Sequence, residues 1–263
     1  MLHRRRLLSA LGALALCPLC ARRGLAASGW SWEGDTGPEH WGSLPGYATC
    51  SAGSQQSPID ITGAVKANLP PLHVSWQRAS GTIYNSGHTI QVNVPPGNKL
   101  SIGQTSYDLL QFHFHAPSEH AVDGNRAAME IHFVHRNRVG SDSGVAADVK
   151  DPPVRPWLAV IGVFMQPGGS NSAFARVARA MPQQAGERAP ISVDPNGMLP
   201  RSLGYWRYEG SLTTPPCSET VGWILLREPI RVAAADIDSF SKLYPNSARP
   251  LLPRNRRFVL LAS

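Results

Sequence analysis

The chain of 263 residues is 42% hydrophobic, 16% charged and 8% aromatic, which excludes an intrinsically disordered chain, a coiled coil and a collagen-like repeat. Its 24 glycines and 23 prolines make up about 18% of residues against a typical ~12%, punctuation that suits many short elements joined by turns. The formal charge of +7 is unevenly placed: five of the 25 basic side chains lie in the first 27 residues with no acid, leaving 20 against 18 acidic ones, a net of +2 that argues against a nucleic-acid partner.

Residues 1–27 read as an export signal. Arg4-Arg5-Arg6 is a positive leader, Leu7 to Leu16 is an apolar run too short to span a bilayer, and Gly24, Ala26 and Ala27 supply small residues for cleavage. The paired arginines before Leu7-Leu8 resemble a twin-arginine signal. The alternative is an N-terminal core helix. Leu16 and Leu19 precede Cys17 and Cys20 where a lipid anchor needs small residues, so no stable membrane anchor is expected and the protein is placed in the periplasm or outside the cell. The mature chain, 28–263, then keeps Cys50 and Cys217. In an exported chain these are expected to bridge, stabilising by about 4–5 kcal/mol in the chain-entropy model. Two buried, unpaired thiols are the alternative.

Residues 28–60, rich in Gly, Pro, Ser and Trp, read as irregular wrapping. Strands are predicted over Thr82–Tyr84, Thr89–Val94, Ser106–His115, Ala127–His135, Leu158–Phe164 and Val221–Leu226. Ser141 to Pro156, with Asp151-Pro152-Pro153, reads as an exposed loop. Phe174, Val177, Ala178 and Met181 fall at helical spacing after Ser172 and before Pro182; Ile237, Phe240 and Tyr244 repeat the pattern between Asp236 and Pro245. The predicted fold is therefore mainly β, bordering on α+β. It is one domain on a large, twisted, mostly antiparallel central sheet with short peripheral helices.

The informative stretch is Gln111-Phe112-His113-Phe114-His115, followed by Glu130-Ile131-His132-Phe133-Val134-His135. Side chains alternate faces along a strand, so His113 and His115 share a face opposite Phe112 and Phe114, and Glu130, His132 and Val134 share one on the next segment. Antiparallel pairing lets three imidazoles converge, a set that suits catalytic zinc with an open fourth position. His135 falls on the wrong face to be a ligand. On spacing alone, buried hydrogen-bonded core histidines remain the competing reading.

These motifs resemble the α-class carbonic anhydrases. So do Ser118-Glu119-His120, Gly210-Ser211-Leu212-Thr213-Thr214-Pro215-Pro216, Gly37-Pro38-Glu39-His40-Trp41, Gln55-Gln56-Ser57-Pro58-Ile59 and Asn85-Ser86-Gly87-His88, in family order over nearly the whole chain after the signal. The resemblance implies that 28–263 is an α-carbonic anhydrase domain that reversibly hydrates carbon dioxide to bicarbonate and a proton by attack of zinc-bound hydroxide. It implies Zn2+ on His113, His115 and His132, and a hydroxyl at Thr213 that donates to Glu119. Gln111 and Glu130 accept ligand N–H protons, with His120 and Tyr208 bracing them, and His88 shuttles the proton. Gln91, Val134, Val160, Leu212, Thr214, Val221 and Trp223 surround the substrate. Read without the family, Thr213 is a turn residue, His88 an exposed loop histidine, and the apolar set plain core.

Where the family has tyrosine in a Trp-x-Tyr element, this chain has Trp30-Ser31-Trp32, which puts the water path toward His88 in doubt. A non-catalytic relative and a zinc hydrolase acting on esters, the latter also possible as a side activity, are the competing classes. The expected partner is a small molecule, in a monomer or homodimer.

Overall fold

The computed structural model describes residues 29–138 and 157–263. The expected signal and the expected Ser141 to Pro156 loop lie outside these residues. Fifteen strands are described: β1 (Asp60–Ile61), β2 (Val65–Ala67), β3 (Leu72–Ser75), β4 (Ala79–Asn85), β5 (Ile90–Asn93), β6 (Lys99–Ile102), β7 (Thr105–His115), β8 (Ala121–Val122), β9 (Asn125–Arg126), β10 (Met129–Asn137), β11 (Leu158–Pro167), β12 (Arg188–Val193), β13 (Tyr205–Gly210), β14 (Val221–Val232) and β15 (Leu260–Ala262). Three helices accompany them, α1 (Thr49–Ala52), α2 (Ser172–Ala180) and α3 (Ala234–Leu243).

Twelve strands form one sheet in the order β12-β4-β5-β7-β10-β11-β14-β13-β15-β2, with β6 beside β7 and β3 beside β6. All pairs in it are antiparallel except β11 with β14 and β15 with β2. The six predicted strands are all present, with β14 running six residues past its predicted end at Leu226. Of the short strands only β5 stands inside a longer alternating run, Thr89–Val94, and is predicted; the others, of two to six residues, carry too little alternation to read.

The central strands are buried on both faces. Phe112 and Phe114 of β7 and Ile131 and Phe133 of β10 point to one side, where Phe174 and Val177 of α2 and Phe240 of α3 close the main core. The opposite side is narrower: Val134, Val160, Tyr208, Val221 and Trp223 form a second apolar layer with Ile59 and Val259. Asn171 caps α2 by accepting the Phe174 N–H at 2.9 Å. The helix α3 starts before Asp236, which leaves that carboxylate in the first turn, where it complements the helix dipole.

The N-terminal wrap is irregular, as expected, with 3-10 turns at Gly34–Thr36 and Trp41–Ser43. Cys50 of α1 is bonded to Cys217. Trp30, Trp32, Leu44 and Tyr47 pack around Trp41 and this bridge.

His135 is fully buried on the main-core side, stacked on Trp76 at 5.5 Å, and donates from Nδ1 to the Ala159 carbonyl at 3.1 Å. Burial lowers its pKa from 6.5 to about 4. Because the folded value is depressed, this group's contribution is intact above pH 6.5 and is lost as pH falls toward 4, a cost on the order of 3 kcal/mol across that window. Denaturant titrations at pH 7 and 4.5 should show His135→Gln losing markedly less stability on acidification than the parent chain. Equal losses would remove His135 as a source of acid lability.

Candidate metal centre

The register of β7 against β10 sets His132 directly opposite His113, Glu130 opposite His115 and Val134 opposite Gln111. All six side chains therefore share one face. One ring nitrogen from each of His113, His115 and His132 lies within 4.8 Å of the others, and among the described residues no fourth His, Cys, Asp or Glu atom joins that group.

Each ring is oriented by what its second nitrogen donates to. His113 Nδ1 donates to Gln111 Oε1 at 2.9 Å, His115 Nδ1 to the Ser247 carbonyl at 2.5 Å, and His132 Nε2 to Glu130 Oε1 at 2.9 Å. These acceptors fix the tautomers, so His113 and His115 present Nε2 to the centre and His132 presents Nδ1. Burial, with the neighbouring imidazoles, holds His113 well below the ordinary histidine range, and burial lowers His115. Neutral rings at neutral pH are what a metal requires.

Burial alone would raise the Glu130 carboxyl, but His120 and His132, through charge and hydrogen bonds, hold it well below the usual range. Its Oε1 also accepts from His120 Nδ1 at 2.8 Å, and its Oε2 accepts the His120 backbone N–H at 2.9 Å. His120 Nε2 and the Tyr208 hydroxyl share a 2.6 Å hydrogen bond, and that hydroxyl donates onward to Ser57 Oγ at 2.9 Å. The cluster of His120, Glu130 and His132 is thus internally hydrogen-bonded, a brace and not a second metal site.

Two buried polar atoms have no hydrogen-bond partner here, His115 Nε2 and Glu119 Oε2, and they lie 3.4 Å apart. A buried imidazole lone pair left without a donor is costly unless something else engages it. Three converging imidazole nitrogens, one of them orphaned, fit zinc. Glu119 Oε1 accepts the Arg249 backbone N–H at 3.0 Å. The expected donation from Thr213 to Glu119 is not formed, since Oε2 has no donor; Thr213 lines the cleft nearby.

The three histidines lie along a cleft of about 200 Å³. Val134, Val160, Leu212 and Trp223 line it with apolar surface, while Ser86, His88, Thr89, Gln91 and Gln111 line it with polar groups, and Thr214, Trp30 and Trp32 also border it. Val221 does not line it, contrary to expectation. It stands opposite Leu158 at the start of β14 and packs in the second apolar layer, so it backs the wall. Gln91 donates from Nε2 to Asn93 Oδ1 at 2.6 Å. His88 is half-buried, stacked on Trp30 at 3.8 Å, and burial lowers its pKa below 6.5.

Three supports were not legible in the sequence. The Ser247 carbonyl and the Arg249 N–H are main-chain groups that every residue carries. The Arg249 side chain is fully buried and donates to Gln56 Oε1, the Ser57 carbonyl and the Cys50 carbonyl at 2.9, 2.8 and 2.7 Å. Burial lowers its pKa to about 10, which still leaves it charged at neutral pH.

Three convergent imidazoles with fixed tautomers, beside a cleft lined by both an apolar cluster and polar side chains, have the layout of a catalytic zinc protein. The family model of the eukaryotic-type carbonic anhydrases matches residues 36–261. A carbonic anhydrase of Klebsiella pneumoniae is 39% identical over 258 residues, covering 96% of this chain and 97% of that protein. A hyperthermostable carbonic anhydrase from a hydrothermal vent chimney superposes with a TM-score of 0.80 at 36% identity, over 89% of this chain and all of the other. The α-carbonic anhydrase of Thermovibrio ammonificans, solved with the inhibitor sulfanilamide, gives 0.79 at 38% identity, over 88% and 98%. The chain belongs to the eukaryotic-type carbonic anhydrase family, zinc lyases that catalyse carbon dioxide hydration.

Glu130→Ala should weaken zinc retention by about 10–100-fold, the usual loss for removing the partner of a ligand histidine. Competition against a chromophoric chelator measures this, and unchanged affinity would show that Glu130 does not tune the ligand.

Proposed function

We propose that the protein reversibly hydrates carbon dioxide to bicarbonate and a proton with zinc held by His113, His115 and His132. The observation that carries this reading is the convergence of one nitrogen from each ring within 4.8 Å beside a cleft with an apolar wall. Zinc in such a site supplies a Lewis acid that lowers the pKa of water to about 7, a value known for carbonic anhydrase itself.

The chain's own residues do the rest. Val134, Val160, Leu212 and Trp223 give a nonpolar substrate a dry surface beside the histidines. Glu119, acceptor-only when ionised and already engaged through Oε1 by Arg249, keeps Oε2 as the acceptor that the Thr213 hydroxyl, not bonded to it in this structure, would take up once the site is loaded. A threonine that donates there keeps its lone pairs for the reacting oxygen, which orients that oxygen toward carbon. Thr214 and Gln91 hold the polar side of the substrate and product. His88 accepts the released proton and passes it to buffer, since its neutral imidazole is the populated form near neutrality.

Export as an amino-terminally processed protein belongs to the same proposal, supported by the leader sequence and the Cys50–Cys217 bond.

Stopped-flow carbon dioxide hydration should vanish on chelation and return with stoichiometric zinc, and sulfanilamide should inhibit it. Activity that survives in metal-free protein would overturn the reading. Ester turnover on the same zinc-loaded sample should be a minor activity; a dominant one would favour a hydrolase.

In weak buffer, kcat should rise with pH through an inflection below 6.5, because His88 must be neutral to accept a proton and burial lowers its pKa. His88→Ala should lower kcat in weak buffer with kcat/KM nearly unchanged and with rescue by added imidazole. Unchanged kcat in weak buffer would remove His88 from proton transfer.

A further inference from the structure

The turn that carries His88 is built from within. Asn85 Oδ1 accepts the Gly87 N–H at 3.0 Å, and Ser86 Oγ accepts the N–H groups of His88 and Thr89 at 3.2 and 3.1 Å. Gly87 at φ +84° occupies a left-handed conformation that a residue with a Cβ adopts only with strain. This pins the amide side of His88. The carbonyl side is engaged from elsewhere in the chain: Trp32 Nε1 donates to the His88 carbonyl at 2.8 Å.

Trp32 is itself anchored. Its ring meets Trp30 edge-on at 5.3 Å and Trp41 at 5.4 Å, and Trp41 Nε1 donates to the carbonyls of Ser31 and Thr36, both at 3.0 Å. Trp30, fixed in the same cluster, lies parallel to the His88 imidazole, with 13° between the planes. One short segment thus grips His88 twice, by its carbonyl and by its ring.

We propose that Trp32 is a positioning residue for proton transfer, whose indole N–H, by holding the His88 carbonyl, fixes the backbone from which the imidazole lies against Trp30. The family resemblance places a tyrosine here; indole substitutes a bicyclic ring whose N–H is a donor only. The inference rests on the reading of His88 as the proton carrier.

Oxygen-18 exchange at equilibrium on the zinc enzyme tests this, because it measures carbon dioxide interconversion and proton transfer separately. Trp32→Phe should slow proton transfer about fivefold, the fold-change worth of one net hydrogen bond, and by a larger factor than it slows interconversion. In a His88→Ala background the same substitution should have no further effect. Unchanged proton transfer in Trp32→Phe, where His88→Ala still slows it, would overturn the clamp and leave the shuttle standing. A loss that persists in the His88→Ala background would also overturn it, since Trp32 would then act elsewhere. No effect of His88→Ala would defeat the shuttle reading and this inference with it. If Trp32→Phe lowers Tm, 3-benzothienylalanine at position 32 keeps the bicyclic ring without the N–H and decides by the same readouts.

Discussion

The second nitrogen of each converging imidazole is the constraint on which the rest depends. A neutral imidazole has one donor and one acceptor nitrogen. Only when the donor is satisfied by a fixed acceptor does the lone pair point where it is needed. Gln111, Ser247 and Glu130 provide three acceptors of different kinds, an amide, a main-chain carbonyl and a carboxylate. Two come from positions on the ligand strands themselves, two residues before the histidine they serve, so the same alternation that groups the rings also delivers their partners. The third reaches in from the carboxy-terminal region and ties the metal site to a distant part of the chain.

Around that centre the protein divides labour by face. The main core beneath β7 and β10 is apolar and helix-covered, which keeps the ligand strands stiff. The opposite face carries hydrogen-bonded polar side chains at depth, tolerable because nearly every one has a partner. Arg249 joins these regions. Its main-chain N–H serves Glu119, while its guanidinium holds the carbonyls of Ser57 and Cys50 and lies 5.6 Å from the Trp41 ring. Gln56 bonds both that guanidinium and the Cys217 carbonyl. A buried cation without a paired carboxylate side chain is expensive. Here it is met by three neutral acceptors and an aromatic face, and it links Glu119 to both ends of the disulfide.

The readable parts were those with local periodicity. All six predicted strands and both predicted helices are present: alternating runs such as Ser106–His115, and three apolar residues at helical spacing, leave a mark in sequence, while Thr82–Tyr84 marks only the middle of β4. β1, β8 and β9 are two residues each and leave none. Val221 packs with Val134, Val160 and Trp223 behind the cleft lining, because membership of a strand face does not say how far along that face the cleft extends. The Thr213 donation to Glu119 is absent, although both residues are close to the metal site.

What the sequence determined by itself was the donor set: three histidines, their same-strand partners Gln111 and Glu130, and the apolar residues facing the same way. A strand's two-residue repeat converts spacing directly into shared orientation, so no long-range information is needed. Only the tertiary structure decided which lone pairs converge, that Ser247 and Arg249 complete the site through main-chain groups, and that Trp32 reaches the carbonyl of His88. Those contacts join positions 56 to 132 residues apart, and any residue carries the main-chain atoms involved, so nothing short of the folded chain distinguishes them.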